Sequence, residues 1–264
     1  MKRRFVDALQ REIIVSWPPK RIISLVPSIS ETLAALKLEQ ELIAVTKFCE
    51  RPVRLRKGRV IIGGTKDPKI EEILALKADL IIANKEENRR EDVEALQEHF
   101  PVYVTDVINL DDAILMIEAL GALTDRLGEA EQLSDKIRDA FRRIPEPEVL
   151  HKVLYFIWRR PWMVAGRDTF IADILRRGGL VSCLDGRYPS KIIEDLEKSK
   201  PELLLFSSEP YPFNEGHLRA LEGYFSDVPR RLVDGVPFSW YGPALLEAPA
   251  LLRELGELFR SDPH

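Results

Sequence analysis

The clearest pattern of apolar and polar positions is a long run of helical periodicity from Asn109 to Ile144. Apolar residues recur there at steps of three and four, which places them along one side of a helix. Asn109 is a suitable N-cap, and Pro145 directly follows the run and ends it. Gly121 and Gly128 are expected to interrupt or kink the helix. The segment is therefore predicted to be a helical spine between two lobes, with a helical hairpin inside one domain as the alternative.

Before this run, short apolar stretches alternate with amphipathic ones. The pattern predicts a hairpin over residues 3–15, strands over 21–26, 42–46, 60–62, 79–83 and 102–106, and helices over 28–38, 69–76 and 91–98. Ser28 or Ser30 is expected to cap the first of these helices. Short buried strands that alternate with helices are typical of a parallel sheet with helices on both faces.

After the run, the alternation starts again. It predicts strands over residues 152–158, 203–208 and 230–234, and helices over 168–177, 192–198, 215–224 and 244–259. Asp168 or Thr169 is the expected cap of the first helix in this half. The predicted fold is α/β, with two Rossmann-like lobes of parallel sheet at residues 1–108 and 145–264. The helical spine at 109–144 would join them and leave a ligand cleft between the lobes.

The two halves also contain an internal repeat, IEEILALKADLIIANKE at 70–86 and IEDLEKSKPELLLFSSE at 193–209. Glu71 and Glu194 lie 123 positions apart, and so do Leu80 and Leu203. Both segments read as a helix that leads into a buried strand. The two glutamates therefore occupy one position of the repeat. Either they are acidic knobs that meet arginines on a partner, or they are ordinary solvated helix charges.

Candidate ligand residues are sought just after the strands, because ligands bind at the carboxyl ends of parallel strands and between domains. Aromatic side chains are concentrated there, which suits a large planar or macrocyclic ligand. The alternative is that some of these rings fill hydrophobic seams between loops and helices. The predicted ligand-binding residues are Ser28, Phe48, Glu50, Thr65, Trp158, Trp162, Tyr188, Phe238, Trp240 and Tyr241.

Composition narrows the function classes. The 264 residues carry a formal net charge of −4 with interspersed charges, which does not favour a nucleic-acid partner. No catalytic or nucleotide-binding motif such as GxSxG, GxxxxGK[ST] or GxGxxG occurs, so no catalytic residue is assigned and an enzyme is not expected. The four histidines are dispersed and there is no CxxC, so no metal site is expected. Cys49 and Cys183 are expected to be buried free thiols.

The motifs, taken in order, resemble a known family. The chain resembles the class III, helical-backbone periplasmic binding proteins in six motifs. In the first half these are RIISLVPSISETLAAL, TKFCERP and GGTKDPKIEEILALKADLIIA. In the second half they are GRDTFIADILRRGG, YPSKIIEDLEKSKPELLLFSSEPYPF and DGVPFSWYGPALL. These receptors serve ABC importers for cobalamin, ferric siderophores, haem and metals. The chain is most similar to the cobalamin-binding branch. That resemblance implies that Phe48 and Tyr188 are aromatic pocket residues and that Glu71 and Glu194 dock onto arginines of the permease.

The resemblance implies a monomeric substrate-binding protein that takes cobalamin or a related tetrapyrrole and has no cofactor of its own. Thr65 stands where the cobalamin branch offers a tryptophan, which counts against tight cobalamin binding. A ferric-siderophore or haem receptor is the first alternative, with cations from Arg51, Arg159, Arg160 and Arg187. The resemblance implies a periplasmic location. Met1-Lys2-Arg3-Arg4 is not followed by the apolar core of a signal peptide. Either a signal has been removed, or the chain is a cytoplasmic regulatory protein or enzyme that reuses the fold.

Overall fold

The computed structural model describes residues 1–259, which form two compact units. The first unit comprises Met1–Val107, Asp111–Ile137 and Tyr241–Pro243. The second unit comprises Ile108–Leu110, Arg138–Trp240 and the described residues from Ala244 onwards. Residues 109–144, predicted as a separate spine, are thus divided between the two units.

The first unit contains the predicted N-terminal hairpin and a five-stranded parallel sheet of order β5-β4-β3-β6-β7. The strands are β1 Lys2–Val6, β2 Glu12–Ser16, β3 Ile22–Ser24, β4 Leu42–Val45, β5 Val60–Ile61, β6 Leu80–Asn84 and β7 Val102–Thr105. The helices are α1 Pro27–Ala35, α2 Ile70–Ala75, α3 Arg90–Gln97, α4 Leu110–Thr124 and α5 Leu127–Arg142, the last two of which have ends in the second unit. Every residue of β3, β6 and β7 is buried, as expected for a sheet covered on both faces.

Helix α1 begins earlier than predicted. Pro27 occupies its first turn and Val26 is the N-cap residue, with no side-chain cap. Proline suits this position because its missing N–H would have no partner inside the helix. The hydroxyl of Ser30 donates instead to the carbonyl of Val26 at 3.0 Å. The prediction that Ser28 or Ser30 caps the helix was therefore wrong.

The long periodic run forms two helices, α4 and α5, but the interruption lies at Asp125 and Arg126 and not at a glycine. Asp125 adopts a left-handed φ of 61°, and the N–H of Arg126 donates to the carbonyl of Gly121 at 2.8 Å. Gly121 stays inside α4. A Cβ there would lie 2.4 Å from the Cβ of Ala130, so the glycine is needed for the close approach of α4 to α5.

The second unit contains a six-stranded sheet of order β11-β9-β8-β12-β13, with β10 also paired to β8. The strands are β8 His151–Trp158, β9 Trp162–Val164, β10 Leu180–Ser182, β11 Ser190–Lys191, β12 Leu203–Ser207 and β13 Arg230–Val233. The helices are α6 Phe170–Arg177, α7 Ile193–Glu197, α8 Glu215–Arg219, α9 Val236–Ser239 and α10 Ala248–Glu257. The predicted strands run parallel, whereas β9 and β11 add antiparallel pairings that were not predicted.

Three helices in the second unit begin or end at residues that differ from the predicted ones. The hydroxyl of Thr169 accepts the N–H of Ala172 at 3.2 Å and caps α6, so Thr169 is the cap and not Asp168. Helix α8 stops at Arg219, five residues before the predicted end at Tyr224. The predicted C-terminal helix divides into a 3-10 turn at Pro243–Leu246 and α10.

The internal repeat of the sequence is also present in the backbone. Strands β6 and β12 occupy corresponding positions over their whole lengths, and every residue of both strands is buried. The turn that precedes each strand contains a left-handed lysine, Lys77 with φ 50° and Lys200 with φ 51°. The two segments therefore share a helix, a left-handed turn residue and a buried strand.

Within residues 1–259, no helix has both the length and the apolar character needed to cross a bilayer.

Burial of the repeat strands generates a first prediction. Ile81→Ala in β6 and Leu204→Ala in β12 each remove a fully buried side chain at corresponding positions. Each substitution is expected to lower the free energy of unfolding of its own unit by about 2–5 kcal/mol, because the loss of apolar burial adds to the cost of a cavity. Urea denaturation provides the measurement. Leu115→Ala, at a leucine that is 61% exposed, serves as control, and equal losses at all three positions would contradict the assignment of the core.

The left-handed lysines generate a second prediction. Lys77→Gly and Lys200→Gly should leave stability unchanged or raise it by up to about 1 kcal/mol, because glycine relieves the strain of a positive φ and offsets its own entropic cost. Lys57→Gly is the matched control, since Lys57 has an ordinary φ of −67°, and it should lower stability by roughly 0.5–1 kcal/mol. Thermal unfolding of the three variants tests this. An equal loss in all three would rule out the strain argument.

Candidate functional site

Each sheet presents the carboxyl ends of several parallel strands, which is the edge where ligands of α/β proteins bind. In the first unit these ends belong to β3, β4 and β6, and in the second unit to β8, β12 and β13. Trp158 is the last residue of β8, and the other predicted ligand residues except Tyr188 lie in the segments that follow one of these strands or short β5.

Phe48 is an exposed aromatic residue in the loop that follows β4. It is 49% exposed, and the Nζ of Lys47 lies 5.1 Å from the centre of its ring. A Cβ at Gly64 would lie 3.0 Å from Phe48 Cε2 and 2.2 Å from an oxygen of Asp67. The absence of a side chain at Gly64 thus makes room for the ring. Glu50, two residues further on, is exposed.

Asn88 organises the loops beside Phe48, although it was not singled out from the sequence. Its side-chain amide donates to the carbonyl of Leu25 at 3.2 Å and to the carbonyl of Thr65 at 3.0 Å. Its side-chain oxygen accepts the N–H of Asn84 at 2.9 Å. One buried asparagine therefore ties the end of β3, the end of β6 and the loop with Thr65 together. Such a residue follows a strand in the sequence, which is the only signal that could have marked it.

A partly buried ion pair joins the middle of α1 to the loop after β4. The carboxylate of Glu31 is almost completely buried and accepts the guanidinium Nε of Arg51 at 3.1 Å, while Arg51 stays about one-third exposed. Burial makes such a pair stiffer and less screened than a surface pair. Ser28 is buried in the same turn, and its carbonyl accepts the hydroxyl of Thr32 at 2.9 Å. Ser28, predicted as a ligand-binding residue, is therefore buried.

Aromatic side chains cluster at the corresponding edge of the second unit. Trp158 is the last residue of β8 and is 42% exposed, and Tyr211 meets it edge-on with ring centres 5.5 Å apart. Trp162 is partly buried and stacks on Phe213 at 6.2 Å. The guanidinium of Arg159 lies 5.5 Å from the centre of the Trp162 ring. Of the two predicted tryptophans, Trp158 thus presents the more open ring.

His217, one of the four dispersed histidines, packs against this cluster. Its Nε2 lies 3.3 Å from the hydroxyl of Tyr211, and its Nδ1 accepts the backbone N–H of Asn214 at 3.0 Å. Burial of the ring and the positive charge of Arg159 lower the pKa of His217. The imidazole is therefore neutral near pH 7 and held from both nitrogens. The sequence spacing of six between Tyr211 and His217 gives no hint of this contact.

Phe238 does not lie on a surface. It is completely buried and meets Tyr155 edge-on, with ring centres 5.8 Å apart. Tyr155 is also buried and donates to the hydroxyl of Ser207 at 3.1 Å, and burial raises the pKa of Tyr155 well above its usual range. Phe238 thus belongs to the interior packing of the second unit, contrary to the sequence expectation.

The neighbours of Phe238 in sequence belong to different units. Trp240 ends α9 in the second unit and is partly buried, whereas Tyr241 is buried in the first unit. The carbonyl of Tyr241 accepts the hydroxyl of Thr32 at 3.0 Å. Gly242 has φ 141°, and a Cβ there would lie 2.1 Å from the Thr32 hydroxyl oxygen, so only glycine fits. Tyr188 is partly buried in the loop between β10 and β11.

Glu71 and Glu194 occupy the same place in the two copies of the repeat. Each is the second residue of its helix, α2 or α7, and each is exposed. Their neighbours differ, since Lys69 pairs with Glu72 in the first unit at 2.7 Å, whereas exposed Ile192 precedes α7 in the second. The symmetric exposure predicted from the repeat is present in the structure.

Both cysteines are free thiols. Cys49 is buried and donates to the hydroxyl of Ser30 at 3.1 Å, and burial raises its pKa. Cys183 is only partly buried, contrary to the expectation that both would be buried. Among residues 1–259, no group of three or more His, Cys, Asp or Glu side chains is arranged to hold a metal ion.

The sequence is similar to proteins named as vitamin B12-binding proteins. Over 206 residues the chain is 26% identical to the vitamin B12-binding protein of Vibrio campbellii, covering 75% of this chain and 74% of the relative. It is 27% identical to the vitamin B12-binding protein of Vibrio cholerae O395 over 234 residues, which cover 85% of this chain and 83% of the relative.

Solved structures share the fold. The periplasmic vitamin B12 binding protein BtuF of Vibrio cholerae superposes with a TM-score of 0.80 at 22% identity, covering 93% of this chain and 99% of that one. The periplasmic heme-binding protein BhuT, in complex with two hemes, gives a TM-score of 0.79 at 20% identity, covering 90% of this chain and 98% of that one. The predicted α/β fold class is confirmed by these matches.

The family model for periplasmic binding proteins matches residues 22–221, which is most of the chain. The match covers the five-stranded sheet, every strand of the six-stranded sheet except β13, and both copies of the repeat. The resemblance read from the motifs is therefore confirmed, and this chain belongs to the periplasmic binding protein family.

Proposed function

We propose that this protein is the extracytoplasmic substrate-binding component of an ABC importer and that its ligand is cobalamin or a related corrinoid. The observation that carries the proposal is the pair of exposed aromatic rings, Phe48 and Trp158, at the carboxyl ends of the two sheets. Family membership supports a binding role, and the relatives named as vitamin B12-binding proteins support the ligand class.

The chemistry of a corrinoid matches these two surfaces. Its macrocycle offers broad apolar faces on which aromatic rings stack, and each such contact adds to the burial of apolar area. The rim of the macrocycle carries amide groups that need polar partners. Exposed Glu50 and the part-exposed loop with Thr65 lie beside Phe48 in the first unit and can provide them. Because Asn88 fixes that loop, its geometry is set before a ligand arrives.

A haem or ferric-siderophore receptor is the second candidate, and the ion pair of Arg51 with Glu31 favours it. Arg51 is a fixed, partly exposed cation close to Phe48, and such a group suits the carboxylates of haem or an anionic iron chelate. The similarity in fold to the heme-binding protein BhuT is consistent with this candidate. Thr65 stands where cobalamin-binding relatives are expected to carry a tryptophan, and this also favours a haem or siderophore ligand over cobalamin.

Ligand titration decides between the two candidates. Calorimetry and absorbance with cyanocobalamin are expected to show saturable one-to-one binding. Phe48→Ala and Trp158→Ala should each weaken it by roughly three- to tenfold, because each removes a stacking surface worth about 0.5–1.5 kcal/mol. Val53→Ala is the control, since Val53 is 93% exposed and lies in the turn that follows the same loop.

Three outcomes of the titration are informative. Saturable binding of haem or a ferric siderophore in place of cyanocobalamin, with loss of affinity in Arg51→Gln, would establish the second candidate. Unchanged affinity in both aromatic variants would refute the role of the aromatic surfaces. Absence of binding to all three ligands would refute the proposed ligand classes together.

Docking to the permease is assigned to Glu71 and Glu194. The double variant Glu71→Lys with Glu194→Lys should lose binding to the importer in proteoliposomes that bind the wild-type protein, because attraction to arginines becomes repulsion. Ligand affinity should stay unchanged. The control carries Glu98→Lys with Glu222→Lys, which makes the same change of net charge at two other exposed carboxylates. Equal docking of the two double variants would exclude the assigned role.

A further inference from the structure

The pair of Tyr211 and His217 is arranged so that the tyrosine hydroxyl has a defined direction of donation. The N–H of Asn214 donates to His217 Nδ1 at 3.0 Å, so Nδ1 carries no proton. A neutral imidazole then carries its proton on Nε2. Nε2 lies 3.3 Å from the Tyr211 hydroxyl oxygen. The imidazole therefore donates, the hydroxyl oxygen accepts, and the tyrosine proton is left to donate to another group.

The position of the imidazole is fixed by its surroundings. Its ring meets Tyr211 and Phe213 edge-on, with ring centres 5.4 Å and 5.5 Å away. Asn214 caps the following helix, because its side-chain oxygen accepts the N–H of Gly216 at 3.0 Å while its own N–H is bound by His217. The loop that carries Tyr211 is thereby fastened to α8 through the same histidine. The orientation of the hydroxyl is thus set by the protein itself.

Tyr211 lies beside the most open aromatic ring of the second unit. It follows β12, and its ring meets Trp158 at the end of neighbouring β8, with 5.5 Å between ring centres. Trp158 is the ring to which the proposed function assigns ligand stacking. A hydroxyl next to a stacking surface can contact the rim of a macrocycle whose face lies on that surface.

We propose that Tyr211 is a ligand-binding hydrogen-bond donor and that His217 is the positioning residue that directs its hydroxyl toward the ligand. The recognised group is a carbonyl or carboxylate oxygen on the rim of the macrocycle, since the hydroxyl is left with a proton to donate. This inference rests on the proposed function, because it places Tyr211 in the same site as Trp158.

The arrangement makes the pair sensitive to acid. Protonation of His217 would place a proton on Nδ1, which would then face the N–H of Asn214 as one donor against another. The charged neighbours are Arg159 from the loop after β8, and Glu215 and Arg219 on α8 itself. Burial and Arg159 lower the pKa of His217 below its ordinary value of about 6.5. The pair is therefore intact above that value and is lost as the pH falls through the lowered pKa.

Two substitutions separate the roles. Tyr211→Phe keeps the ring against Trp158 and removes only the hydroxyl. His217→Asn keeps an acceptor for the N–H of Asn214, because the asparagine side-chain oxygen takes the place of Nδ1, but it is too short to reach Tyr211. Each variant should weaken ligand binding by roughly three- to tenfold, as expected for the loss of one hydrogen bond. The double variant should bind no more weakly than Tyr211→Phe, since His217 acts only through the hydroxyl.

The binding measurements use cyanocobalamin, whose rim carries amide carbonyls, and haem, whose rim carries carboxylates. Whichever ligand binds should lose affinity in Tyr211→Phe. The wild-type affinity should decline as the pH falls through the lowered pKa of His217, while that of His217→Asn stays flat. Tyr224→Phe is the control, because Tyr224 is 40% exposed and lies outside the aromatic cluster. Wild-type affinity in Tyr211→Phe, in a protein whose binding is weakened by Trp158→Ala, would overturn the inference and leave the proposed function standing.

A ligand-free measurement tests the pair when no ligand binds. Nitrogen-15 NMR of the histidine rings reports which nitrogen carries the proton. We expect the Nε2–H form for His217 in the wild-type protein, a titration below pH 6.5, and a shifted signal in Tyr211→Phe. An Nδ1–H form would refute the inference regardless of the ligand. The expected form together with no binding of cyanocobalamin, haem or a ferric siderophore would refute the proposed function, and with it the ligand contact of Tyr211.

Discussion

The structure depends on the complete burial of the central parallel strands. Every residue of β6 and β12 is buried, so their backbone groups must find partners inside the protein, mostly in neighbouring strands. The same burial confines polar chemistry to the strand ends. Asn84 at the end of β6 donates to the hydroxyl of Thr105 at 3.0 Å, and Ser207 at the end of β12 accepts from Tyr155 at 3.1 Å. Satisfying these buried groups fixes the loops on which the candidate ligand residues lie.

Much of the fold follows from the sequence because burial leaves a strong pattern. The uninterrupted apolar runs that form β6 and β12 were predicted to within a residue or two, and so were the helices before them. The predictions of strands and helix ends failed where tertiary contacts, and not the local pattern of apolar residues, determine the structure. Strands β9 and β11 are three and two residues long, too short for any periodicity. The break between α4 and α5 lies at Asp125, because Gly121 is used for close helix packing and not for a turn.

The candidate site was less predictable, since exposure and orientation depend on the whole unit. Phe48 and Trp158 could be found as aromatic residues at strand ends, and they are the exposed ones. Phe238 follows β13 in the same way, yet it is buried in the interior, where its ring packs edge-on against Tyr155. The contact of Tyr211 with His217 depends on a capped turn at Asn214 that has no periodic signature. Polar residues that fix a loop through hydrogen bonds, such as Asn88, likewise have no periodic pattern by which the sequence could identify their role.

The return of Tyr241–Pro243 to the first unit has a consequence for how the protein is made. The first unit is not complete until these residues, close to the C-terminus, have left the ribosome and Gly242 has closed onto Thr32. Neither unit is therefore a continuous stretch of chain that could be produced alone by cutting the gene near its middle. A premature stop before Tyr241 would leave both the first and the second unit without residues that belong to them.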